Sequence, residues 1–311
     1  MNIFQKVSNM KKIFCFVIVF LFASPCLAAS FAQTKKLAEK GDVNAESELG
    51  LMYELGNSVE PDFVEAAAWY KKAAEHGDSK AQNNLGVLYQ KGLGVTKDYK
   101  EARKWWEKSA AQGVSEAQYN LGMLYQTGND DIPKDFVESV KWFTKAAEQG
   151  LAKAQFSLAE MYKSGEGVAA DVPEAIVWYK KSAEQDNPKA QFRLGEIYKS
   201  GAGVAKDFVE SVKWFTKVAD IGYIPAQIKL SEIYEKGEGI QQDLPTAYMW
   251  MYIAATSNKP EVIKARDDLE KYLSNEQIEK GKALAQEWIK KQQTKDSKIP
   301  TKESPNNAPI K

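Results

Sequence analysis

Residues 81–113 read AQNNLGVLYQKGLGVTKDYKEARKWWEKSAAQG, and this stretch decides the fold. Its landmarks are Leu85, Tyr89, Gly92, Asp98 and Trp105. Gly92 fits the left-handed position that closes a helix, where a Cβ would be strained. Asp98, followed three residues later by Glu101, has the form of a capping box that opens a second helix. Gly113 stops that helix. The stretch therefore reads as helix, turn, helix.

Working outward, the pattern recurs six times. Blocks beginning at Ala45, Ala81, Ala117, Ala154, Ala190 and Ala226 follow one another at steps of 36, 36, 37, 36 and 36 residues. In the third block Ala117, Leu121, Leu124 and Tyr125 fall on one helical face. In the first, Ala66, Trp69, Tyr70, Ala73 and Ala74 form the buried face of the second helix. Gly50, Gly86, Gly122 and Gly195 share one register with Ala159 and Ser231, which suits close approach of the partner helix. Asp186 and Asn258 stand where other second helices end in glycine. One such hairpin cannot enclose a core, whereas stacked copies can. The expected organisation is an N-terminal half-repeat cap over 30–44 and repeats at 45–80, 81–116, 117–153, 154–189, 190–225 and 226–261. Capping helices over 262–291, at Val262–Tyr272 and Asn275–Lys291, and a disordered tail over 292–311 complete it.

Composition narrows the chemistry. The 311 residues carry 42 Lys+Arg against 42 Asp+Glu, a balance that argues against nucleic-acid binding. Lys11 and Lys12 precede the apolar run Ile13–Ala23 and the small residues Ala28-Ala29-Ser30, the layout of a secretory signal peptide over 1–29. The run is too short to span a bilayer. Cleavage there would remove Cys15, Cys26 and three lysines, leaving no cysteine and 39 basic against 42 acidic residues. The expected mature chain is a monomer located in the periplasm or secreted, with no membrane span.

The blocks AQYNLGMLYQTG (117–128), the stretch at 81–113 and AQFRLGEIYKSGAGVAKDFVESVKWFTKVADIG (190–222) resemble Sel1-like repeats, a branch of the tetratricopeptide superfamily. The resemblance covers residues 45–261. It implies an all-α fold, a right-handed α/α superhelical solenoid of helix-turn-helix repeats whose concave face is lined mainly by first helices. It also implies an adaptor that engages a protein or peptide, in exported bacterial members often a host or envelope component. Some cysteine-rich relatives are β-lactamases or penicillin-binding proteins, but the paired cysteines of those relatives have no counterpart here.

No catalytic residue, cofactor or metal ligand set is expected. Ser-x-x-Lys occurs only at Ser8 and Lys11, inside the signal, and His76 is the single histidine, read as a helix-end residue at the dipole. The Gly-x-Gly-Val loops read as inter-helix turns, the six recurring tryptophans as core, and Asn129-Asp130-Asp131 as a solvated loop. The resemblance places the groove at first-helix positions that vary between repeats: Asn83, Tyr119, Phe156 and Phe192 in one series, Met123, Glu160 and Glu196 in the next, and Lys163 and Lys199 in a third. These nine residues are the expected partner-binding set, with aromatic rings exposed enough that truncating Tyr119, Phe156 and Phe192 leaves folding untouched. The alternatives are a periplasmic regulatory or structural envelope component and, less favoured, the hydrolase of the cysteine-rich relatives.

Overall fold

An aspartate opens the second helix of all six repeats. Asp62 Oδ1 accepts from the N–H groups of Val64 and Glu65 at 2.8 and 3.1 Å. Asp98, Asp135, Asp171, Asp207 and Asp243 accept in the same way from residues two or three further on. This satisfies donors that the first turn of any helix leaves orphaned.

The expected capping box is only half formed. The N–H of each capping aspartate donates to the carbonyl of the repeat's tyrosine, as from Asp62 to Tyr53 at 2.9 Å and from Asp98 to Tyr89 at 3.0 Å. Asp135, Asp171, Asp207 and Asp243 pair likewise with Tyr125, Tyr162, Tyr198 and Tyr234. That bond occupies the donor a capping glutamate would take, so the glutamates turn elsewhere. Glu65 accepts from Trp69 Nε1, and Glu101, Glu138 and Glu210 pair with lysines one turn on.

The structure, a computed structural model, describes residues 25–296. Residues 25–29 of the expected signal open a helix, while residues 1–24 and 297–311 lie outside the described residues. Fifteen helices and no strand occur among the described residues. They are α1 Pro25–Ala38, α2 Val43–Leu55, α3 Phe63–Glu75, α4 Ser79–Lys91, α5 Tyr99–Ala111, α6 Ser115–Thr127, α7 Phe136–Glu148 and α8 Ala152–Ser164. They continue as α9 Val172–Glu184, α10 Pro188–Ser200, α11 Phe208–Asp220, α12 Ile224–Lys236, α13 Leu244–Ala255, α14 Pro260–Glu270 and α15 Asn275–Asp296. The last helix runs beyond the expected Lys291, because no proline or glycine interrupts Gln292–Asp296.

The described chain forms two compact units, one of residues up to Ala154 with Glu166–Ala169, the other of Gln155–Gly165 with Ala170 onward. In the first, α1 packs on α2, where Phe31 meets Tyr53 edge-on at 5.6 Å, as the half-repeat cap requires. Within each hairpin the centre of the core is the residue after the recurring tryptophan. Tyr70, Trp106 and Phe143 are fully buried. The small residue of the first helix makes room for that ring, since a Cβ on Gly122 would lie 2.5 Å from Phe143 Cδ1. The tryptophans sit at the rim of the core. Trp69 and Trp105 are buried and Trp142 half-buried, each with the lysine three residues on lying over its ring.

In the second unit Tyr179 and Phe215 take the central place, with Trp178 and Trp214 under Lys181 and Lys217. The C-terminal cap is built from α14 and α15, both packed on α13. Trp288 of α15 meets Trp250 at 5.8 Å and donates its Nε1–H to Asp220 at 2.9 Å.

Successive repeats are stitched by a buried glutamine. Gln82, Gln118, Gln191 and Gln227 each donate to the carbonyl of an alanine that closes the preceding second helix. A second glutamine covers the first, as Gln112 on Gln82 at 2.8 Å and Gln185 on Gln155 at 2.8 Å. His76 proves to belong to this device: its Nδ1 lies 2.9 Å from Glu46 Oε2, where later repeats use the glutamine pair. His76 does close its helix, as the cap that follows Glu75, and its ring in addition reaches the buried Glu46 of α2.

The glycine loops are packing devices. A Cβ on Gly94 would lie 1.9 Å from the carbonyl oxygen of Phe63, so the loop rests directly on the start of α3. Asp186 and Asn258 adopt positive φ, 59° and 57°, at the helix ends where glycine stands in other repeats.

Candidate functional site

The nine candidate residues occupy both units. In the first, Asn83 Oδ1 accepts from Asn120 Nδ2 at 3.0 Å, and its carbonyl accepts from Trp106 Nε1 at 3.2 Å. Met123 is half-buried on α6. Tyr119 is half-buried against Phe143, with ring centroids 5.6 Å apart, and Lys153 Nζ lies 4.5 Å from its centroid.

The remaining six come together in the second unit, around two clefts that share Arg193. The first, about 370 Å³, lies between Phe156, Glu160, Lys189, Phe192 and Tyr223. The second, about 580 Å³, has Lys163, Glu196, Lys199, Lys206 and Lys229 among its walls and Ile197, Phe208 and Phe215 beneath. The spacing explains the grouping, because first-helix residues 36 apart occupy equivalent places on neighbouring first helices.

The rings are not free. Phe156 packs on Tyr179 at 5.9 Å and Phe192 on Phe215 at 5.3 Å, and all three candidate rings are half-buried. Each ring packs on the buried aromatic of its own hairpin and keeps part of its surface exposed, so truncation is expected to touch packing as well as the exposed face. Tyr223, 41% exposed, extends the surface and meets Phe192 edge-on at 5.3 Å.

The charges form a ladder across consecutive first helices. Arg193 of α10 donates to Glu160 of α8 at 3.1 Å and to Glu196 at 2.8 Å. Lys199 of α10 and Lys229 of α12 share Glu232, both at distances near 3 Å. Glu160 also accepts from the Tyr179 hydroxyl, and burial followed by this carboxylate raises the phenol pKa far above its ordinary value. Burial pushes the Glu232 carboxyl up, but hydrogen bonds and charge from Lys229 and Lys199 outweigh it and hold the pKa below its ordinary value. Lys163 is exposed and makes no ion pair among the described residues, nor do Lys189 and Lys206.

Arg193, Lys229, Lys206 and Tyr223 were not among the expected residues. A signal for two of them was present, since Arg193 and Lys229 stand where earlier repeats carry Glu48, Asn84, Asn120 and Ser157. The Asn129 loop is used structurally: Asn129 Oδ1 accepts from the N–H groups of Asp131 and Ile132, and Asp131 pairs with Lys100. No group of three or more His, Cys, Asp or Glu side chains suited to a metal ion occurs among the described residues.

The Sel1 repeat profile matches at 43–78, 79–114, 115–151, 152–187, 188–223 and 224–259, two residues ahead of the boundaries expected from the alanine register. The chain belongs to the Sel1 repeat family. A Sel1 repeat protein from Oxalobacter formigenes is 33% identical over 77% of this chain and 93% of its own, with a TM-score of 0.62. A protective antigen of uropathogenic Escherichia coli that displays an SLR fold is 31% identical over 90% of this chain and 69% of its own, with a TM-score of 0.53. No match to a curated protein was found. The Sel1 chain is thus an all-α solenoid-type scaffold of the kind that generally mediates protein–protein interaction. No helix among its described residues is long and apolar enough to cross a membrane.

Proposed function

We propose that this Sel1 repeat chain is an exported, non-catalytic, monomeric scaffold that binds a protein or peptide through its first-helix face, in host interaction or envelope assembly. The observation that carries the binding reading is the pair of clefts joined at Arg193, where half-buried aromatic rings and charged side chains face outward at positions that vary between repeats. Ligand sites characteristically combine an apolar floor with a few placed polar groups. Residues that only maintain the repeat are uniform here, such as the leucine, tyrosine and capping aspartate, whereas the cleft residues change character at Glu160 and Lys163. The likeness to a protective antigen supports a surface-directed role, and the Lys11–Ala29 pattern supports export.

The test has two arms. Fractionation of cells producing the chain with a C-terminal epitope tag should place it in periplasm, surface or medium, in a form shortened by the signal. Crosslinking through a photoreactive residue at position 223 should capture a defined partner, and a photoreactive residue at exposed Val64 should not. Retention of the full-length chain in the cytoplasm would refute export, and equal capture from both positions would refute the face assignment.

A further inference from the structure

Both clefts of the second unit carry more positive charge than the chain as a whole. Their walls hold six cationic side chains, and four carboxylates answer them. Glu160 and Glu196 are engaged by Arg193, Glu232 is divided between Lys199 and Lys229, and Glu238 lies 3.9 Å from Lys236. Lys163, Lys189 and Lys206 remain without an acidic partner among the described residues, in a chain whose total charge is zero. Between them lie the Phe192–Tyr223 corner and the Ile197 and Phe208 floor.

We infer that these clefts recognise an acidic peptide segment in which carboxylates flank an apolar or aromatic side chain. This rests on the first-helix face being the binding face. The apolar side chain would sit against Phe192 and Tyr223, and the flanking carboxylates would meet Lys189 on one side and Lys163 and Lys206 on the other. Charge complementarity of this kind sets specificity and association rate more than affinity. The same four carboxylates disfavour a nucleic-acid strand, whose charge falls at every phosphate, whereas a peptide can place carboxylates only where a lysine waits.

The full chain is panned against a random peptide display library, and a selected peptide is measured by fluorescence anisotropy at low and high salt. Expected is enrichment of Asp and Glu around an apolar residue, with affinity falling about tenfold in Lys163→Glu/Lys206→Glu and on raising the salt. Both lysines are exposed, so the circular dichroism of the variant should match the parent. Selected peptides without acidic enrichment that lose binding in Tyr223→Ala would overturn the charge inference and leave the binding face standing. Peptides indifferent to all these variants, or no selected peptide at all, would overturn both. Preferential binding of a short single-stranded DNA over every peptide would overturn the inference of a peptide.

Discussion

At the scale of single residues, the deciding contacts are a small residue against a large ring and a polar pair between repeats. Gly122 is held at its size by Phe143, so Gly122→Val should cost about 2 kcal/mol through overpacking, read as a lowered denaturation midpoint. Repeat four accommodates Ala159 at the same register, which places the limit between one carbon and a branched side chain. His76 with Glu46 is a chemical variant of the glutamine pair seen at Gln112 and Gln82. Replacing both, as Glu46→Gln with His76→Gln, should leave stability equal or higher, while Glu46→Ala alone should lose about 1 kcal/mol. A double variant markedly less stable than the parent would show that the two pairs are not equivalent. The half-buried rings were the residues hardest to read from sequence. Tyr119, Phe156 and Phe192 each belong to the core on one side and to the surface on the other, and a helical period assigns a residue to a face without dividing its side chain between them.

At the scale of elements, the hairpin depends on its capping aspartate. Asp207→Ala should destabilise by about 1 kcal/mol in equilibrium unfolding, since Glu210 N–H loses its acceptor at the start of α11. The ladder between α10 and α12 predicts a pH effect. The Glu232 pKa is lowered on folding, so its contribution is complete above the ordinary value of 4.5 and fades as pH falls through the lower folded value. Glu232→Gln should therefore narrow the loss of stability on acidification, and an unchanged acid profile would contradict the ladder. Helices, turns and caps were legible because their signals are local: Gly92, Asp98 and Trp105 act within a few residues of themselves. The ion pairs between helices were not, because Arg193 reaches Glu160 and Lys199 reaches Glu232 across 33 residues each, a distance no single helix pattern records.

At the scale of the molecule, stacked hairpins need covered ends. In the second unit the cover is α14 and α15, which bury Tyr248, Met251, Val262 and Leu269 and bring Trp288 onto Trp250. Ending the chain after Asn258 should expose this apolar face, lower the melting temperature by on the order of 5 °C or more and promote association, as seen by calorimetry and light scattering. The bond from each capping aspartate to its tyrosine carbonyl has a consequence at this scale too. It ties the hairpin at both ends of its loop, so the loop's length is decoupled from the pairing of the two helices that it joins. In five repeats nine positions separate the tied residues, and from Tyr125 to Asp135 there are ten, yet the bond is kept at 2.9 Å. The additional residue is spent on the surface while Ile132 is still tucked inward. These loops are thus the places where a repeat can lengthen, acquire a new segment or carry a reporter peptide while both of its helices stay tied.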